Sequence, residues 1–247
     1  MSEAVDLDYA TAGEPFSVGR TFSRSASVFS QGFGKFFLLT GIVYIPTLVI
    51  DLIVVADPSA RTVAAGLASL TGLVVAPISA ATSLFGAFQI MRQRSFTLGE
   101  AFSVAFSRFW PVLGVSLLGG LFIGLLMLLL LVPGLIYSVM IFVAQPACVL
   151  EPIGPLRALR RSRELTKGYR WPIFGLYIAI LVAVALGSIG AGFVGKALLG
   201  PVVGALVKFV GSSVLVGFSS VLSAVAYSEL RADKEGVDVD QLARVFD

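Results

Sequence analysis

The sequence from Trp110 to Leu150 reads WPVLGVSLLGGLFIGLLMLLLLVPGLIYSVMIFVAQPACVL, and its 41 residues include no charged side chain. About 20 apolar residues cross the hydrocarbon core of a bilayer as a helix, so this run is long enough to cross twice. Pro133 and Gly134 favour a tight turn near its middle. The run therefore predicts a helical hairpin in the membrane, with spans at about 111–132 and 135–150.

The whole chain has the composition of a membrane protein. Of its 247 residues, 57% are hydrophobic and 13% are charged, whereas soluble domains have about 45–50% and about 25%. The mean hydropathy is +0.93. Four further apolar runs are each long enough to cross once: Phe36–Ala56, Thr62–Met91, Trp171–Gly195 and Phe209–Ser228. We therefore expect an all-α integral membrane protein with six transmembrane helices.

The expected organisation is one membrane domain at 16–230 between two tails. Residues 1–15 are polar and acidic, which predicts a disordered tail. They lack the basic start and the early apolar core of a secretory signal peptide. Residues 231–247 are expected to form a C-terminal tail in the cytoplasm.

The distribution of Lys and Arg predicts the orientation of the spans. Of 18 basic residues, 15 fall on one side of the predicted spans, and Arg61, Lys196 and Lys208 fall on the other. Because basic residues are retained in the cytoplasm, we expect both termini there. Trp110 and Trp171 then lie at cytoplasmic ends of spans, where indole rings favour the interface.

The chain contains signs of internal repetition. Residues 16–29 match residues 96–109 at six of fourteen positions, and WPVLG at 110–114 resembles WPIFG at 171–175. The matching segments are amphipathic, which predicts cytoplasmic interfacial helices with Phe side chains in the acyl region. We predict three units of an interfacial helix and a hairpin, and the alternative is chance similarity in a biased composition. The units are about 16–91, 96–150 and 154–230.

Small residues recur every four positions in three spans, which is the pattern of closely packed membrane helices. The sets are Ala64, Ala68, Gly72, Ala76 and Ala80; Gly120 and Gly124; and Ala183, Gly187, Ala191 and Gly195. We predict that these stripes are buried helix–helix faces, and the alternative is a wall along a substrate path. The faces could be buried within one chain, or against a second copy or another membrane protein.

Two polar side chains stand inside predicted spans. Asp51 is an acid near the outer end of the first span, and the sequence shows no base or acid within a span to complement it. Intramembrane carboxylates mark proton or ion paths, although Asp51 is close enough to the surface to be hydrated. Gln145 favours a helix–helix hydrogen bond over substrate binding. The single cysteine, Cys148, is expected to be a small buried hydrophobe.

The densest polar segment is 151–170, EPIGPLRALRRSRELTKGYR, which predicts a cytoplasmic helix beside the bilayer. Glu164 can pair with Arg160 four residues before it and with Lys167 three residues after it. Arg157, Arg161, Arg163 and Arg170 then stay free for phosphate groups. The six basic residues predict a site for anionic lipid, and the alternative is a topology signal with ordinary headgroup contact.

The residues for common enzyme chemistry are missing from this sequence. There is no His, and one Cys excludes an intramolecular disulfide and a thiolate cluster. A phosphate-binding GxxxxGK[ST] loop and an HExxH zinc motif are also absent. We therefore expect no enzyme activity, no catalytic residues, no metal and no cofactor, and no nucleic-acid partner.

Residues 128–174 and 226–246 resemble the uncharacterised bacterial six-span proteins grouped with the membrane domain of glycerophosphoryl diester phosphodiesterases. The shared features are VPG at 132–134, Leu150-Glu151, the AlxRSxxLTkG pattern at 158–168 and ELRxxKEGVD at 229–238. The resemblance implies a bacterial inner-membrane protein of unknown activity. It does not imply a hydrolase, because the catalytic barrel and its His residues are absent.

The family pattern sharpens two local predictions. Glu151 is placed to pair with Arg160 or Arg161 and so to anchor the basic segment. Gly236 should end the last helix, and the tail should form a short helix capped by Asp238 or Asp240. The apolar face of that helix would comprise Leu242, Val245 and Phe246.

Our leading hypothesis for function is a non-enzymatic protein of membrane organisation or lipid handling, with anionic phospholipid as its partner. The alternative is a small transporter or channel with Asp51 and Gln145 on its path. A lipid-modifying enzyme is the third hypothesis, and it would need catalytic acids and bases from residues whose patterns are structural.

Overall fold

The computed structural model describes residues 16–194 and 200–236, and these residues form helices joined by short turns. The ten α-helices are α1 Val18–Gln31, α2 Phe33–Ala56, α3 Arg61–Met91, α4 Leu98–Ser107, α5 Phe109–Leu129, α6 Leu131–Met140, α7 Ala144–Leu150, α8 Pro155–Thr166, α9 Arg170–Val194 and α10 Pro201–Glu235. The predictions for the 1–15 tail, for Lys196 and for the helix within 237–247 lie outside the described residues.

The described residues confirm six helical segments that are long and apolar enough to cross a membrane. They are α2, α3 with the short 3₁₀ turn Pro58–Ala60 before it, α5, α6 together with α7, α9 and α10. Their ends differ from the predicted ones because caps, rather than hydropathy, set where a helix stops. The last helix begins with Pro201 in its first turn and ends at Gly236, whose φ of 62° is left-handed.

The turn of the second hairpin lies earlier than predicted. The break falls at Leu130, which is extended, and Pro133 and Gly134 lie in the first turn of α6. Proline is tolerated there because the first helical N–H groups have no partner within the helix. A Cβ on Gly134 would lie 2.2 Å from Cγ of Met127, so glycine permits the close approach of α5 and α6.

The fourth span is interrupted between α6 and α7, and neighbouring helices supply hydrogen bonds at the break. The N–H of Val143 donates to Ser162 Oγ at 3.2 Å, and that hydroxyl donates to the carbonyl of Met140 at 2.9 Å. Ser223 on α10 donates to the carbonyl of Phe142 at 3.1 Å. A broken helix leaves backbone groups without partners of their own, and α8 and α10 supply hydrogen bonds to them.

Helix α1 packs on the bundle more closely than the interfacial prediction implied. Phe29 of α1 is 8% exposed and lies edge-on to Phe218 of α10, so its predicted place among acyl chains is wrong. In α4, by contrast, Phe106 is 64% exposed. A short helix precedes two long segments three times along the chain, and the proposed internal repetition stays a prediction.

The small-residue stripes are buried only in part. Ala68, Ala76, Gly120 and Gly124 are exposed, so they are not packed faces within this chain, and their burial against a second copy or another membrane protein stays a prediction. On α5 the close contact falls instead at Gly119, where an added Cβ would lie 2.9 Å from Ile141 Cδ1. The spacing alone could not show this, because the position of the neighbouring helix selects the face that is buried.

The remaining small residues of the stripes differ in how far they are buried. Ala64 and Ala80 of α3 are buried. A Cβ on Gly187 would lie 3.1 Å from Leu215 Cδ1 of α10, whereas Ala183 is exposed. Gly195 and the side chain of Ala191 lie outside the described residues.

Candidate functional site

We call the end of the bundle at which α1, α4, α8 and the last turns of α10 lie the basic end. Helix α8 is its most strongly charged element, and it begins at Pro155 in the first helical position after Gly154. Apolar and hydroxyl side chains at helical spacing bury one face of α8: Ala158, Leu159, Ser162, Leu165 and Thr166. The opposite face is exposed and carries Arg157, Arg160, Arg163, Glu164 and Lys167. One face therefore fixes the helix in the bundle while the other presents charge.

The exposed basic side chains of α8 have few restraints. Arg160 pairs with Glu164 at 3.1 Å, with side chains 82% and 57% exposed, and such pairs contribute only about 0.3–0.5 kcal/mol. The guanidinium of Arg163 lies over the Tyr137 ring, 4.9 Å from its centroid. Lys167 is exposed on the same side. The face presented by Arg157, Arg160, Arg163 and Lys167 is called the α8 basic face below.

Arg161 does not belong to the α8 basic face. The prediction that it stays free for phosphate is wrong, and the prediction that Glu151 pairs with it is confirmed, because its side chain is 22% exposed and pairs with two carboxylates. Its Nε lies 3.0 Å from Glu151 Oε1, and its Nη1 lies 2.5 Å from Glu235 Oε1. These carboxylates raise the pKa of Arg161 above its ordinary value, against the lowering effect of burial. Arg161 follows Arg160 by one position on the helix, so its side chain points in a different direction, inward towards α10.

Glu151 lies at the centre of a charge-balanced cluster. The Tyr227 hydroxyl donates to its Oε1 at 2.6 Å, and Nη1 of Arg231 lies 3.5 Å from the same oxygen. Arg231 also pairs with Glu235 at 2.9 Å. We call Glu151, Arg161, Tyr227, Arg231 and Glu235 the Glu151 cluster. Two guanidinium groups balance two carboxylates, so the cluster joins α7, α8 and α10 and is not built to hold a further anion.

A second cluster, around Glu229, was missed by the sequence reasoning. Glu229 is 2% exposed, and the Thr21 hydroxyl donates to its Oε2 at 2.5 Å. Arg24 Nη1 and Arg20 Nε lie 3.7 and 3.9 Å from its Oε1. The last apolar run ends at Ser228, so the sequence predicts Glu229 just beyond the last span. Glu229 lies seven residues after Leu222 and four after Val225, and this helical spacing, which puts the acid on the buried face of α10, could have revealed it.

The Glu229 cluster explains why α1 buries polar side chains. Arg24 is 6% exposed and faces α10 together with the buried Thr21 and Ser25. A buried guanidinium requires a compensating charge, and Glu229 supplies it. The arrangement holds α1 on the last helix of the bundle.

The two polar residues predicted inside spans lie on different helix pairs. Asp51 of α2 pairs with Lys208 of α10, with Nζ 2.9 Å from Oδ2. The prediction that no base complements Asp51 is therefore wrong, because α10 begins early enough to include Lys208 in its helix. Gln145 of α7 donates from Nε2 to Ser116 Oγ of α5 at 3.2 Å. Both contacts join helices, and no shared path follows from them.

Two other sequence expectations concern chemistry. Cys148 is buried as a free thiol. Arg170 begins α9 and is exposed, beside Trp171, which is 83% exposed. Across 16–194 and 200–236, no group of three His, Cys, Asp or Glu side chains is arranged to hold a metal ion.

Comparison with known proteins gives one match. The model of a family described as a domain of unknown function (DUF7847) matches residues 17–230. The match covers the membrane domain and includes both charged clusters except Glu235 and Arg231. No curated protein and no solved structure gives a match.

Proposed function

The chain belongs to the DUF7847 family, and we propose that it is a non-enzymatic multi-pass membrane protein that binds anionic phospholipid through the α8 basic face. The observation that carries the proposal is the division of α8 into a fixed face and a free, charged face. Lipid handling or membrane organisation at that surface is the activity we propose.

Charge and position support this proposal. A basic residue near an anionic membrane surface contributes about 1 kcal/mol of attraction, and the α8 basic face presents three such residues on α8 and a fourth, Lys167, at its C-terminal cap. The exposed indole of Trp171 lies in the first turn of α9, five residues after the end of α8, and Trp favours the headgroup region. The Ser162 and Thr166 hydroxyls fix α8 against Met140, so the helix that carries the charges does not have to order on binding.

The proposed location is the bacterial inner membrane, with both termini in the cytoplasm. The 15 to 3 distribution of basic residues supports this orientation, because the basic end would then face the cytoplasmic leaflet. The resemblance to bacterial six-span proteins supports the inner membrane, and it stays part of the proposal. Anionic lipid in that leaflet is the expected partner.

A transporter that uses Asp51 receives less support. Asp51 is paired with Lys208 at the opposite end from α8, and Gln145 bonds to a different helix. A pair that holds two helices together accounts for an acid at this position.

Native mass spectrometry of protein released from nanodiscs tests the proposal. The nanodiscs contain equal amounts of phosphatidylglycerol and phosphatidylethanolamine. We expect wild type to retain phosphatidylglycerol preferentially, and a variant with Arg157, Arg160, Arg163 and Lys167 changed to Gln to lose that preference. Removing one charge in Arg157→Gln should weaken retention about fivefold.

The matched control is Arg61→Gln, which removes one exposed charge at the opposite end of the bundle. It should leave the preference unchanged. Equal retention by wild type and the fourfold variant, with both folded, would show that the basic residues act only in membrane topology.

A further inference from the structure

A groove between α6 and the start of α9 has the form of a lipid-chain site. Its volume is about 540 Å³, within the range of about 300–1,000 Å³ of small-molecule pockets. The lining residues are Val132, Leu135, Ile136, Val139, Arg170, Trp171 and Phe174. Six of these seven side chains are hydrophobic, so the groove is suited to a hydrocarbon chain.

The groove opens on the outside of the bundle. Val139 forms a buried part of its lining at 3% exposure, whereas Ile136 and Trp171 are 50% and 83% exposed. Val132 and Val139 are seven residues apart on α6, so the α6 wall is about 10 Å long at 1.5 Å per residue. An apolar trench of this kind can take a chain from the surrounding bilayer without passage through the protein.

The lining of the groove includes one charged side chain. Arg170 is the charged residue of the lining, and it begins α9 at the basic end. Lys167 lies three residues before it and is also exposed. The N–H groups that open a helix add a partial positive charge at the same place. An apolar trench with one guanidinium in its lining matches a molecule with a hydrocarbon chain and an anionic head.

We propose that this groove binds one acyl chain of an anionic phospholipid, whose phosphate pairs with Arg170. The inference rests on the proposed function for the class of ligand, but it assigns a separate site with different residues. The α8 basic face attracts the headgroups of a leaflet, whereas the groove holds a single lipid by its chain. The α8 basic face therefore selects lipids by the charge of the headgroup, and the groove also selects them by contact with an acyl chain.

Photocrosslinking in nanodiscs tests the site. The probe is phosphatidylglycerol with a diazirine on one acyl chain, and crosslinked peptides are mapped by mass spectrometry. We expect crosslinks concentrated on α6 between Val132 and Val139 and on α9 near Phe174. Arg170→Gln should reduce them about fivefold, as expected for one basic residue at a charged headgroup. A phosphatidylcholine probe with the same diazirine should label these peptides less.

A second experiment fills the groove with a larger side chain and repeats the crosslinking. Ile136→Trp places an indole in the groove from a half-exposed position, so the bundle core is not disturbed. It should abolish crosslinking to α6, while Leu121→Trp, at a 66% exposed position on α5 outside the groove lining, should not. Both variants are checked for folding by size-exclusion chromatography.

The outcomes separate this site from the α8 basic face. Crosslinks spread evenly over the exposed helices, equal labelling by the phosphatidylcholine probe, or crosslinks to a second protein copy would each overturn the groove proposal. Unchanged lipid retention by the fourfold α8 variant, together with crosslinks concentrated in the groove, would refute the α8 basic face and leave the groove standing alone. Loss of retention in that variant, without crosslinks concentrated in the groove, would leave only the α8 basic face.

Discussion

Replacing Glu229 by Gln should destabilise the protein strongly. The change keeps the volume of the side chain but removes the carboxylate that lies 3.7 Å from Nη1 of Arg24, whose side chain is 5% exposed. Removing one partner of a buried ion pair costs about 3–5 kcal/mol. We expect a loss of stability in this range.

The matched control is Glu164→Gln. This residue also pairs with an arginine, at the shorter distance of 3.1 Å, but the two side chains are 82% and 57% exposed. Its loss should cost about 0.3–0.5 kcal/mol, because water screens the charges and replaces the contact. Burial rather than distance therefore sets the expected order of the two variants.

Unfolding by SDS in mixed micelles measures both effects, with near-ultraviolet circular dichroism of the buried Tyr227 and Tyr137 as the signal. A double variant, Arg24→Met with Glu229→Met, removes both charges and should recover most of the loss. If Glu229→Gln is no more costly than Glu164→Gln, our account of the Glu229 cluster is wrong.

Two further predictions concern helix packing. Gly119→Leu should cost about 1–3 kcal/mol, because a side chain there meets Ile141, whereas Gly120→Leu has open space and should change stability little. The same SDS titration compares them, and equal effects would contradict the packing described for α5. Ser162→Ala should cost about 1–3 kcal/mol by leaving the Val143 N–H without its partner. Ser107→Ala, which removes an exposed hydroxyl bonded within α4, is its control and should be near neutral.

The six spans could be predicted because hydropathy acts over whole helices. A run of about 20 apolar residues is costly to place anywhere except a bilayer, whatever its neighbours are. The helix ends were less predictable. The turn at Leu130 depends on how closely α5 and α6 approach at Gly134, and that contact involves two segments at once.

The charged contacts were predictable only where they are local. Arg160 and Glu164 are four residues apart on one helix, and their pairing follows from helical geometry. Asp51 and Lys208 are 157 residues apart, and Thr21 and Glu229 are 208 apart, so these pairs depend on which helices become neighbours. A single sequence does not contain that information in its spacing.

The interruption between α6 and α7 has a consequence for how the protein is made. The hydrogen bonds that complete the fourth span come from Ser162 and Ser223, which are synthesised after it. A ribosome-bound chain that ends near Leu150 therefore carries a span with exposed amide and carbonyl groups, which hydrocarbon does not solvate. This segment would wait in a hydrated or protein-lined environment until α8 and then α10 emerge. Maturation of the second hairpin is thereby coupled to the synthesis of α10.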